Sequence, residues 1–234
     1  MIVAGPVGRN SHSIPFRVPL LSLTTLALAL LLVGLAAFLR FYRLDELPGP
    51  LYYDEAQNGV DTLRIIAGER PVFLTANNGR EPLFIYLQAI SVALLGPSPF
   101  ALRVVSALVG CATVVAMYFV GRELHGARAG YLAALWLAVS YWHLSLSRLG
   151  FRAVVLPLVE LVCVFCTVRA LRTGSVLMTV SAGLSLGLSL YTYGSARLFP
   201  LAFLMMVATF WRGRRDIWAL SSGRIVRVLG IAAV

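Results

Sequence analysis

Long apolar runs alternate with short polar breaks along most of the chain. The runs occupy residues 18–39, 100–120, 129–146, 153–171, 176–192 and 197–211. Their lengths, about 15–22 residues, suit helices crossing a hydrocarbon core roughly 30 Å thick. The first is longer than the apolar region of a signal peptide, and no small-residue cleavage site precedes Arg40, so it reads as a span. Between 40 and 99 the rhythm changes. Ala56, Val60, Leu63 and Ala67 recur at helical spacing on one side of a 54–68 segment, with Asp54, Gln57, Asn58 and Asp61 on the other. This predicts an amphipathic helix, too short and polar to span, lying on the membrane interface and stopped by Gly68. A loop from Pro71 to Arg80 follows, turning at Asn77-Asn78-Gly79. Pro82 then opens an apolar helix that ends near Leu95, before Gly96-Pro97-Ser98-Pro99. At about 21 Å it is too short to cross.

Composition fixes the solvent. Hydrophobic residues make up 59% of the chain and charged residues 13%, against about 25% charged in soluble domains. The expected fold is therefore an all-α polytopic membrane protein, with about six transmembrane helices and two interfacial helices in the first outer loop. The formal charge is +10, and all 20 basic residues are Arg. They stand at the ends of apolar runs rather than in one patch, which orients spans and argues against nucleic-acid binding. Cys111, Cys163 and Cys166 lie inside apolar runs; with no second pair or nearby His, they read as packing residues.

Charge parity then sets the topology. Residues 1–17 carry Arg9 and Arg17 and no acid, which places this tail in the cytoplasm. Arg212, Arg214 and Arg215 form the strongest cluster and belong on the same side. Counting back puts Arg169/Arg172 and Arg122/Arg128 inside, and Arg148/Arg152 and Arg197 outside. The count closes only if segment 82–95 returns to the outer side without crossing. The expected organisation is a tail over 1–17, a transmembrane domain over 18–211 with outer loop 40–99, and a basic segment over 212–234. A new apolar run starts at 231–234, so the chain reads as the N-terminal part of a longer protein.

Seven of the ten acids fall between positions 45 and 81. Parity gathers Asp54, Glu55, Asp61, Arg80, Glu81, Arg148, Arg152 and Arg197 on one face. Carboxylates can deprotonate an acceptor hydroxyl or hold a divalent cation, and arginines can hold a phosphate. Such a set above a bilayer suits chemistry on a phosphate-linked lipid. Other readings account for the same residues one by one. Asp54, Glu55 and Glu81 are placed as helix-start acids would be. Arg148 and Arg152 could snorkel to headgroups, and Asp61–Arg64 could be a surface pair. Tyr191, Tyr193 and Trp142 sit where aromatic belts form, and His143 where an interfacial His does. A transporter would need ionisable groups at mid-bilayer, where Glu160 is the exception among apolar spans. A non-catalytic membrane scaffold also fits.

Several motifs stand in a familiar order. Tyr53-Asp54-Glu55-Ala56 follows the first span. Asn78-Gly79-Arg80-Glu81-Pro82-Leu83 comes about 25 residues on, Arg103-Val104-Val105-Ser106 opens the next span, and Gly121-Arg122-Glu123-Leu124-His125-Gly126 closes it. Over residues 40–200 this resembles the dolichyl-phosphate-mannose protein mannosyltransferases and the related bacterial enzymes that add aminoarabinose to lipid A. The resemblance implies a membrane glycosyltransferase that takes a sugar from a polyprenyl-phosphate donor. The acceptor would be a protein or glycolipid hydroxyl at the extracytoplasmic face of a bacterial inner membrane. It implies Asp54, with Glu55 beside it, as the catalytic acid pair. Glu81 matches the acid before the proline, Ser147-Arg148 the start of the second outer loop, and Tyr191-Thr192-Tyr193 with Arg197 a segment of bacterial members. Arg80, Arg148, Arg152 and Arg197 are the candidate phosphate holders. Many members carry a further Asp just after Ser-Arg, where this chain reads Leu149-Gly150-Phe151-Arg152-Ala153. No cofactor is assigned; a divalent cation is the open candidate, with Asp54 as its ligand.

Overall fold

The computed structural model describes residues 23–76 and 79–213. Within them the chain is all helical apart from one isolated antiparallel bridge, Leu74–Arg80. The α-helices are α1 (Leu23–Phe41), α2 (Tyr53–Ile66), α3 (Leu83–Leu95), α4 (Pro99–His125), α5 (Ala127–Val139), α6 (Tyr141–Arg148), α7 (Val155–Thr173), α8 (Val176–Ser189) and α9 (Phe199–Gly213). Two 3-10 turns, Arg152–Val154 and Gly194–Leu198, lead into α7 and α9. The protein is a polytopic membrane protein. The α1 helix, α4, and α7 with its leading turn are each long and apolar enough to cross a bilayer; α3, α5, α8 and α9 are apolar but shorter. The expected tail over 1–17 and most of 212–234 lie outside the described residues.

The elements begin and end where their residues dictate. The Ser98 side chain accepts the Ala101 N–H at 3.1 Å and Pro99 holds the first helical position, so α4 starts cleanly. The α4–α5 hairpin turns at Gly126, whose φ of +90° disfavours a side chain. Gly121 and Gly130 then let the two helices touch: a Cβ on Gly121 would stand 2.7 Å from the Gly130 Cα. Gly68 (φ +112°) follows α2 as expected. Of the expected turn, Gly79 has φ +79°, while Asn77 and Asn78 lie outside the described residues.

One expected span is interrupted. The 129–146 run breaks at Ser140, which is extended (φ −60°, ψ 119°) between α5 and α6. The break lets α6 turn His143 and Ser147 inward, and the buried carbonyl of Ala138, near the end of α5, accepts from Arg40 at 3.3 Å. An unbroken apolar period could not show this, because the partner comes from α1.

The α4 helix is the hub, packing against α1, α3, α5, α6 and α7. One apolar cluster joins Ile65 of α2, Phe84 and Ile85 of α3, Val105 of α4 and Val155 of α7, and forms the floor beneath the 40–99 segment. A second joins α7, α8 and α9 around Cys163, Cys166, Leu186 and Phe203, so the Cys-x-x-Cys pair is packed in apolar surroundings. Glu160 is half-buried on α7, with no hydrogen bond or ion pair among the described residues.

Candidate active site

The short helix α2 lies against the bundle by its polar side. Val60, Leu63 and Ile66 are about half exposed, as an interfacial helix requires, whereas Glu55, Asn58 and Asp61 are almost wholly buried. Between them the three tie α2 to Arg103 of α4, to Gly150 and to Arg80. The Glu55 carboxylate accepts from Arg103 Nε (2.9 Å), Arg103 Nη2 (3.2 Å), the Gly150 N–H (2.8 Å) and the Tyr52 N–H (3.0 Å). Burial alone would raise its pKa; the Arg103 and backbone hydrogen bonds, with the Arg103 charge, outweigh that and hold it below the usual carboxylate range. Asn58 donates to the Gly150 carbonyl at 2.8 Å and accepts from Arg80. Asp61 forms a buried ion pair with Arg80 and a looser one, at 3.5 Å, with the exposed Arg64. Asp61–Arg64 is thus the rim of a buried contact rather than a surface pair. Gly150 must stay small: a Cβ there would lie 3.2 Å from Gln88 and 3.3 Å from Glu55.

Arginines complete this frame. Arg40, Arg80 and Arg103 are fully buried, so Arg80, a candidate phosphate holder from the sequence, is committed to internal contacts. Arg103 also donates to the Gly49 and Pro50 carbonyls, so it binds the α1–α2 linker as well as α2. Arg148 donates to the carbonyls of Leu39, Arg40 and Tyr42 at 2.8–3.2 Å and to Leu47 at 3.4 Å, tying α6 to the end of α1. Arg40 donates to Ala36, Ala138 and His143 Nδ1. Because guanidinium only donates, Nδ1 must accept and the His143 proton sits on Nε2. This network is packed tightly: a Cβ on Gly110 would stand 2.6 Å from the Ser147 Cβ and 2.9 Å from Arg40 Nε.

Beside the frame lies a less saturated group. Asp54 is half-buried in the first turn of α2. Glu81, 7% exposed, faces Arg152 with Oε2 and Nε 3.6 Å apart, beyond a good hydrogen bond, and neither of those two atoms has another partner among the described residues. The Arg152 guanidinium stacks 5.2 Å from the Tyr193 ring centre, and Phe151 meets the same ring edge-on at 6.0 Å. Asp54 and Arg80 are both near enough for their charges to act on Arg152. The fold therefore brings Asp54, Glu81, Arg152 and Tyr193 into one neighbourhood, with Glu55, Arg80 and Arg148 behind them in internal contacts. Tyr191 and Arg197 are exposed and make no hydrogen bond or ion pair with this group among the described residues.

Sequence reasoning missed Asn58, Gln88 and Gly150 as parts of the site and placed Arg103 only in a motif. The available signal was the polar stripe Glu55-Asn58-Asp61-Thr62, which recurs at helical spacing opposite an apolar face and so needed a polar partner. For a divalent cation the donor set fits poorly. No three His, Cys, Asp or Glu side chains group as metal ligands among the described residues, and Glu55 and Asp61 are already committed to arginines.

A sequence profile of the dolichyl-phosphate-mannose-protein mannosyltransferase family matches residues 79–234, two thirds of the chain. A search of curated proteins finds no match. The chain belongs to that family, one of membrane glycosyltransferases. Glu81, Arg148, Arg152, Tyr191, Tyr193 and Arg197 fall inside the match; Asp54 and Glu55 precede it. The contacts of Glu55 with Arg103 and Gly150, and of Asp61 with Arg80, bind that preceding helix to the matched part.

Proposed function

With family membership as the premise, we propose that this protein moves a monosaccharide from a polyprenyl-phosphate donor to a hydroxyl acceptor on a protein or glycolipid. The reaction takes place at the extracytoplasmic face of a bacterial inner membrane, with the N-terminus in the cytoplasm. The catalytic unit is the 18–211 transmembrane domain with its 40–99 outer loop. Asp54 is the general base: its carboxylate takes the acceptor hydroxyl proton as that oxygen attacks the anomeric carbon. The bond from that carbon to the donor phosphate oxygen breaks, polyprenyl phosphate leaves with the electron pair, and the configuration inverts. Arg152 receives the phosphate, helped by Arg197 at the exposed approach, and Glu81 holds Arg152 ready. Tyr193, with Tyr191 nearer solvent, offers an aromatic surface to the sugar. Glu55, Arg80 and Arg148 position this set without touching the reacting atoms. No step is assigned to a metal ion.

The observation that carries this reading is the under-bonded Glu81–Arg152 pair, with Asp54 near enough for its charge to act on Arg152. Few buried ion pairs leave such atoms unsatisfied unless something else binds them. The test is transfer of radiolabelled sugar from polyprenyl-phosphate donors by membranes bearing the wild type or Asp54→Asn. A loss of about 10²–10⁴-fold is expected for removal of a general base. Near-normal turnover would sink the assignment.

A further inference from the structure

The α1–α4–α5 side of the bundle, away from the catalytic residues, contains a cavity of about 550 Å³, within the roughly 300–1,000 Å³ of ligand sites. It arises from how the three helices are tied. The buried residues of α1 are Leu32, Ala36 and Arg40, all in its second half, where Arg40 and Arg148 lace it to α5 and α6. In the first half, Thr25, Leu28 and Ala29 line the cavity. The α4–α5 hairpin is closed at this end by the Gly121–Gly130 contact and cannot spread to fill the gap.

The lining is almost entirely apolar, with the Tyr118 and Tyr131 rings across from α1 and Arg128 beside the hairpin turn. Arg128 and Arg122, on either side of that turn, have no acidic partner among the described residues; the adjacent Glu123 is held by Arg169 and Arg172. An apolar slot between membrane helices, with uncompensated guanidiniums at one end, complements a molecule that is apolar along its length and anionic at its head. We propose that this cavity binds an acyl chain of an anionic phospholipid whose phosphate rests on Arg128. The chain replaces packing that α1 does not supply, and the phosphate offers the guanidinium paired acceptors.

The intact protein in detergent can be titrated with phosphatidylglycerol or phosphatidylcholine of equal chain length, and bound lipid counted by native mass spectrometry. Phosphatidylglycerol should be retained about fivefold more tightly, the contribution typical of one basic residue at a membrane surface. Arg128→Gln should abolish the preference and keep the weaker binding. Ala29→Trp, which fills the slot from α1, should lose both lipids while circular dichroism stays helical. Equal retention of the two lipids, binding of neither, or an unchanged preference in Arg128→Gln overturns the proposal.

Discussion

The two ends of the bundle pair arginine with acid in opposite ways. At the end that carries α2, Glu55 with Arg103 and Asp61 with Arg80 are at most 2% exposed and bonded on several sides. At the hairpin end, Glu123 bridges Arg169 and Arg172, whose side chains are 45% and 43% exposed. A surface pair is screened by water and contributes little. A buried pair is costly to assemble, and breaking it strands a charge. The first end uses that sensitivity to hold one short helix in one position; the second joins two long helices that apolar packing already supports.

The difference predicts a ranking. Glu55→Ala leaves Arg103 buried without its carboxylate and should destabilise the protein by about 3–5 kcal/mol, read as a large drop in melting temperature in detergent. A loss no greater than at Glu123 would erase the distinction between the ends. The same pair should answer to acid. Because the folded Glu55 pKa lies below the ordinary 4.5, its contribution is complete above that value and disappears as pH falls through the depressed one. The stability gap between wild type and Glu55→Gln should therefore narrow below about pH 4.5; a gap flat to pH 3, on the order of one unit lower, would contradict it. Gly110→Val would push a side chain into Ser147 and Arg40 and should cost about 1–3 kcal/mol, measured by the same melt. Arg152→Gln should shift stability by only about 1 kcal/mol, since its pair with Glu81 is loose and partly open, yet raise the donor KM at least ~10-fold through loss of a charged phosphate contact. Glu123→Ala should sit at the bottom, at about 0–1 kcal/mol.

What could be read beforehand follows the range of the forces involved. Apolar period, Ser98-Pro99 and the glycine turns act within a few residues, so most helices and their ends were visible in the sequence. The break at Ser140 was not, because the group that satisfies it, Arg40, is about a hundred positions away in the chain. The candidate site divides in the same way. Asp54 and Glu81 stood out as acids in a chain poor in acids. Whether a given arginine faces water or the interior depends on contacts such as Glu55–Arg103 and Arg148–Leu39, 48 and 109 residues apart, and no local pattern carries that. Arg103 and Arg148 look alike in sequence at the ends of apolar runs, as does Arg197, yet the first two lie in internal networks and the third is exposed.

The three anchors of α2 also constrain how its sequence can change. Glu55, Asn58 and Asp61 fall within one arc of about 120° on the helix, and every residue advances the phase by about 100°. One residue inserted or deleted between Asp54 and Asp61 would swing part of the stripe away from Arg103, Gly150 or Arg80 and put apolar side chains against them. The stretch after Gly68 has no such helical register: it is held by the Leu74–Arg80 bridge and by hydrogen bonds at Arg70, Pro71 and Ala76. Length variation should therefore be forbidden inside α2 and tolerated a few residues later, at the tip of the loop.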